Sequence, residues 1–134
     1  MKTKIRRTMR SATVGVALLS LASVTPAYAE GDFETFIDGW TLHQESRRWS
    51  DRNADAASTS VSFSGCSTDG SSGFNSAQLK LWKDVFGPDE DHGTRTNTCN
   101  RVYWGDKSAG SYYFSLWGLS SGGVLNVKTV KVYY

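Results

Sequence analysis

Apolar residues recur at every second position in several short runs of this chain, and helix signals are few. Thr59, Val61 and Phe63 alternate with Ser58, Ser60, Ser62 and Ser64, the pattern of a strand with one wet side in an antiparallel sheet. Ala77, Leu79 and Leu81 alternate with Gln78, Lys80 and Trp82 in a second run that ends near Phe86, where Gly87-Pro88 breaks it. Val102 and Trp104 oppose Arg101 and Tyr103 in a strand expected over 99–105. The densest stretch is 111–134. Two runs of aromatic and β-branched residues flank a short loop bearing Gly122 and Gly123, which predicts a β-hairpin. In its first arm Tyr112, Phe114 and Leu116 share the core parity, leaving Tyr113, Ser115 and Trp117 outward. In its second arm Leu125 and Val127 are odd, whereas Val130, Val132 and Tyr134 are even. One extra residue near Lys128-Thr129, a β-bulge, puts both sets on one face. Asp38-Gly39 likewise predicts a bulge within a single strand over 35–42. Residues 45–55 read as an exposed strand end passing into a loop, and 89–97 as a hydrophilic loop.

Six to eight short strands and only two prolines predict an all-β fold, a single antiparallel β-sandwich of immunoglobulin-like character, with a small closed β-barrel as the alternative. Trp82 between the cysteines mimics the antibody-domain tryptophan only loosely.

The start of the chain changes the charge picture. Lys2, Lys4, Arg6, Arg7 and Arg10 precede a short apolar run over 14–24 and an Ala27-Tyr28-Ala29 cleavage site, so residues 1–29 read as a secretory signal peptide and 30–134 as the mature domain. The run is too short to span a bilayer. Removing the leader's five cations turns a formal net charge of +2 into −3. That balance disfavours a nucleic-acid grip, which rests on Lys and Arg neutralising phosphates, and no membrane association is expected. The two cysteines, Cys66 and Cys99, are expected to form one disulfide in an exported, extracellular protein.

Candidate chemistry is sparse. The two histidines, His43 and His92, have no motif around them: H-E-x-x-H and a phosphate-cradling Gly loop are missing from the sequence, and no G-x-S-x-G nucleophile elbow is expected. No enzyme, cofactor or metal site is expected. The Asp89-Glu90-Asp91-His92-Gly93 run is the nearest approach to a Ca²⁺ loop, but it lacks the distal bidentate acid. The aromatics are more informative. Tyr113 and Trp117, with Tyr103 if its strand is adjacent, suit a platform for a flat ligand or a protein contact. An alternative is that Arg47–Arg52 covers them. Phe33 and Phe36 lie in an N-terminal arm, 31–37, that is free of the disulfide and able to add itself to another protein's sheet edge.

The leader, the small size, the single cysteine pair and that arm together resemble the adaptor subunits of secreted antibacterial toxin particles of actinobacteria, the umbrella-type complexes. The resemblance implies a subunit joining a lectin-like protein to a larger toxin, and it carries over no site residue. The expected function is a secreted, non-enzymatic protein-binding module with an extracellular protein partner. The alternatives are a carbohydrate- or cell-wall-binding module with a glycan partner, and a hydrolase inhibitor using a loop over 87–97.

Overall fold

The computed structural model describes residues 30–134; the expected leader over 1–29 and its expected cleavage site lie outside the described residues. The strands are β1 Asp32–Trp40, β2 Trp49–Asp51, β3 Thr59–Thr68, β4 Ala77–Asp84, β5 Glu90–Asn97, β6 Arg101–Gly105, β7 Gly110–Leu119 and β8 Leu125–Tyr133. They form two four-stranded sheets, β1-β8-β3-β6 and β2-β7-β4-β5, in which every strand pair is antiparallel. The sheets pack as a sandwich and do not close into a barrel.

The alternating runs aim their apolar sets between the sheets. Val61 and Phe63 of β3, Val102 and Trp104 of β6, and Val127, Val130 and Val132 of β8 face Leu79 and Leu81 of β4 and Tyr112, Phe114 and Leu116 of β7. Phe114 is the hub, with Phe63 at 6.4 Å and Trp40 at 5.7 Å between ring centroids. Each such side chain taken out of water contributes about 1.5–3 kcal/mol.

Both expected bulges are present. Between Thr35↔Val130 and Ile37↔Val127, β8 spends one residue more than β1. Between Ile37↔Val127 and Trp40↔Leu125, β1 recovers it at Asp38-Gly39, where Gly39 has φ +66°. This is why Leu125, Val127, Val130 and Val132 are all buried despite their split parity. β3 changes phase beside β8, at Gly65 with φ +71°, so the β3–β8 register stays continuous.

The terminal hairpin does not form. β7 pairs with β2 and β4, whereas β8 pairs with β1 and β3 in the other sheet. Among the described residues only β4 and β5 are neighbours both in sequence and in a sheet. Two consecutive amphipathic strands can bury their apolar faces side by side or across a sandwich, and the alternation is identical in both cases. Two further expectations are corrected. The hydrophilic stretch 89–97 is mostly strand β5, whose polar sequence suits the sheet edge it occupies. Residues 45–55 contain β2, whose Trp49 is 3% exposed and stacks on Tyr112 and Tyr134.

The disulfide joins Cys66 of β3 to Cys99 in the β5–β6 turn, with Cα atoms 5.9 Å apart. The turn carries the chain from one sheet to the other. Asn97, fully buried, shapes it: its Oδ1 accepts from the N–H of Cys99 and of Asn100, and its Nδ2 donates to the Asn100 carbonyl. Trp82 does not pack beside this bridge as an antibody-domain tryptophan does; it stands on the outer face with Tyr113 and Trp117.

Candidate functional site

Tyr113 and Trp117 stand with Trp82 on the outer face of the β2-β7-β4-β5 sheet, but their ring faces are occupied. Residues 41–46 run along β7, with the N–H of His43 donating to the Leu116 carbonyl, that of Leu116 to Gln44 and that of Ser46 to Phe114. This brings the side chains of the following residues across the outer face of the β2-β7-β4-β5 sheet. The Arg48 guanidinium lies 4.3 Å from the Tyr113 ring centroid, and Trp82 stacks on Tyr113 at 6.4 Å. Tyr113 is consequently only 4% exposed. Trp117 is 39% exposed, yet the Lys80 ammonium sits 3.6 Å from its centroid and His43 meets it edge-on at 5.0 Å.

The polar groups of this layer are also paired. Trp82 Nε1 donates to Ser115 Oγ at 2.9 Å. Lys80 binds Asp91 at 3.0 Å, and Arg48 binds Asp84 at 2.6 Å. Tyr113 donates its hydroxyl to Asp89, which holds the Asp89 carboxyl below its ordinary pKa, while burial and the same bond push the Tyr113 phenol well above its own. Asp91 is held low first by the Gly93 N–H and then by Lys80. The carboxylates considered for Ca²⁺ are therefore already engaged, Glu90 pairing with His92. No group of three metal-ligating side chains assembles among the described residues.

Tyr103 does not join Tyr113 and Trp117. Its strand, β6, belongs to the other sheet and among the described residues pairs only with β3, because the Asp106–Ala109 connection crosses the sandwich. Tyr103 stands half exposed on the outer face of that sheet, beside Arg101. The arm is strand β1 itself, paired with β8 from Asp32↔Tyr133 onward. Phe33 points inward, packed between Trp49 and Tyr134 with Arg47 over its ring at 4.2 Å. Phe36 is 67% exposed and lines an open groove of about 370 Å³ with Asp38, Gly65, Asn126 and Lys128. The proposed inhibitory loop over 87–97 shrinks to the turn before β5, where Phe86 is exposed.

The sheet edges differ in accessibility. β2 is three residues long. β5 and β6 face each other along one side of the sandwich and are tied together, with Trp104 Nε1 donating to the Gly93 carbonyl and Arg95 Nε to the Tyr103 carbonyl. β1 is nine residues long, and its outer edge pairs with no strand among the described residues. Gly31 and Tyr134 exchange both backbone hydrogen bonds. In an antiparallel ladder such pairs alternate with open ones, so with Phe33↔Val132 and Thr35↔Val130 in register, the N–H groups of Asp32 and Glu34 turn away from β8. Comparison with models of known protein families, with characterised proteins and with solved structures found no match.

Proposed function

We propose that this chain is a secreted, non-catalytic protein-binding module of an extracellular assembly, and that its partner adds a strand along β1. The observation that carries the reading is the open edge of β1, set against three edges that are short or cross-tied. Strand addition supplies main-chain hydrogen bonds for affinity and side-chain pockets for specificity. Here Asp32 and Glu34 offer the outward N–H groups, Phe36 offers an exposed anchor, and the groove beside it offers a pocket. Asp32, Glu34 and Asp38 make the edge acidic, which suits a basic partner strand and discourages pairing of two copies. The disulfide accords with export. Both histidines are engaged with aromatic rings, His43 with Trp117 and His92 with Tyr112, which favours recognition over catalysis. An adaptor of a toxin particle is one assembly that fits this description.

Glu34→Pro tests the reading, because it removes an outward N–H while leaving the β1–β8 ladder its own bonds. Capture from culture fluid by the wild type is expected to yield a stoichiometric protein partner, and Glu34→Pro to weaken that partner by at least about tenfold with the melting temperature unchanged. Retention of the partner by a folded Glu34→Pro protein, or retention of the wild type on wall polysaccharide with no protein partner, would overturn it.

A further inference from the structure

The outer face of the β1-β8-β3-β6 sheet carries a second feature, next to the β1 edge, where Asp32 and Glu34 are the cross-strand neighbours of Tyr133 and Lys131. Ser60 of β3 has Tyr103 as its cross-strand neighbour on β6 and Tyr133 on β8, so two phenol rings stand on either side of one small residue. Arg101 fills the gap. Its guanidinium carbon lies 5.0 Å from the Tyr103 centroid and 4.2 Å from that of Tyr133, and its Nε donates to Ser60 Oγ at 2.9 Å. Ser60 is fully buried beneath it. In the next row Ser62 pairs with Arg101 on one side and Lys131 on the other, and the Lys131 ammonium reaches to 5.7 Å from the same Tyr133 ring.

These two cations lack what the other outer face supplies. Arg48 and Lys80 each hold a carboxylate, whereas neither Arg101 nor Lys131 lies within ion-pair distance of one among the described residues. That is notable in a mature chain with more acids than bases. A guanidinium clamped by two rings and a hydroxyl has already lost its rotamer freedom, and only its Nε is used. Its remaining N–H fork is set to grip an oxyanion in two places. Lys131 adds a second charge, Ser62 stands between them, and Tyr103, 51% exposed, offers an apolar face to a ring.

We propose that Arg101 and Lys131 hold the oxyanion of an acidic sugar, a uronate carboxylate or a sugar phosphate, with the sugar ring lying on Tyr103. The site adjoins the β1 edge at Lys131, whose cross-strand neighbour is Glu34, while Arg101 and Tyr103 lie two strands away on β6, so the two readings are tested by separate variants, Glu34→Pro and Arg101→Gln.

The test is titration of the mature protein, followed by heteronuclear NMR, with a methyl glucuronide, a glucose phosphate, a neutral methyl glucoside and inorganic phosphate. Saturable shifts at Ser62, Arg101 and Tyr133 are expected with the charged sugars, and the tighter of the two identifies the anion source. The neutral glucoside is expected to give none, and inorganic phosphate to bind at least about tenfold more weakly than the better sugar. Arg101→Gln and, separately, the more conservative Lys131→Gln are each expected to weaken the charged sugars several-fold, and Tyr103→Ala to weaken the sugars but not phosphate. Absence of saturable shifts, equal binding of the neutral sugar, equal binding of phosphate alone, or undiminished binding by folded Lys131→Gln and Arg101→Gln proteins would overturn the proposal.

Discussion

Two buried or half-buried carboxylates respond to their surroundings in opposite directions. Asp51, 6% exposed, has its pKa raised, first by burial and then by its neighbours Glu30 and Asp106, against the Asn53 N–H that it accepts. A carboxyl with a raised folded pKa costs stability wherever it is ionised, and that cost disappears as pH falls through the folded value. Asp51→Asn keeps the acceptor oxygen and removes the charge, so it is expected to raise the melting temperature at neutral pH, with the gain vanishing in acid. Asp89 has the opposite sign. The Tyr113 hydroxyl depresses its pKa, so its contribution is present above the unfolded carboxyl value and fades as pH falls through the folded one. Tyr113→Phe is therefore expected to raise the Asp89 pKa, read by carboxyl NMR, and to make the loss of stability below about pH 4 shallower. Neither environment was legible in the sequence, because both depend on which residues of distant segments lie alongside.

At the scale of elements, the bulges carry the most information. The parity break between Val127 and Val130 was legible because β8 is apolar on one face only, and a phase change without a bulge would expose half of that set. Its counterpart in β3 was masked, since glycine and serine give no hydrophobic phase to follow. Gly65 has φ +71°, and a Cβ there would come within 2.8 Å of the Lys128 side chain. Gly65→Ala is expected to cost about 1–3 kcal/mol in urea unfolding, mainly as backbone strain. A similar cost is not expected from a surface serine substitution such as Ser64→Ala. β5 is invisible to alternation for a plain reason: an edge strand with one neighbour needs little apolar surface, so its sequence, EDHGTRTN, carries no strand signal. Trp49 was hidden likewise, alone among charged residues in a strand of three.

For the molecule as a whole, stability rests on a small core closed by one covalent tie. The disulfide spans 33 positions, and it also pins the turn by which the chain leaves the β2-β7-β4-β5 sheet for the other one. Reduction is expected to lower the unfolding free energy by about 3–4 kcal/mol on the chain-entropy account, measured by urea titration with and without reductant.

Alternation along the chain determined that this protein is all-β, which residues of its alternating runs enter the core, and where the β8 bulge falls, because strand side chains face opposite ways with a period of two whatever the strand's neighbours. The lone cysteine pair likewise announced its bond. Which strands lie side by side was decided only in three dimensions. Alternation says which face is wet, not what sits next to it, and so the terminal pair separated into two sheets, Tyr103 parted from Tyr113 and Trp117, and Arg101 came to rest between two tyrosines from strands distant in sequence.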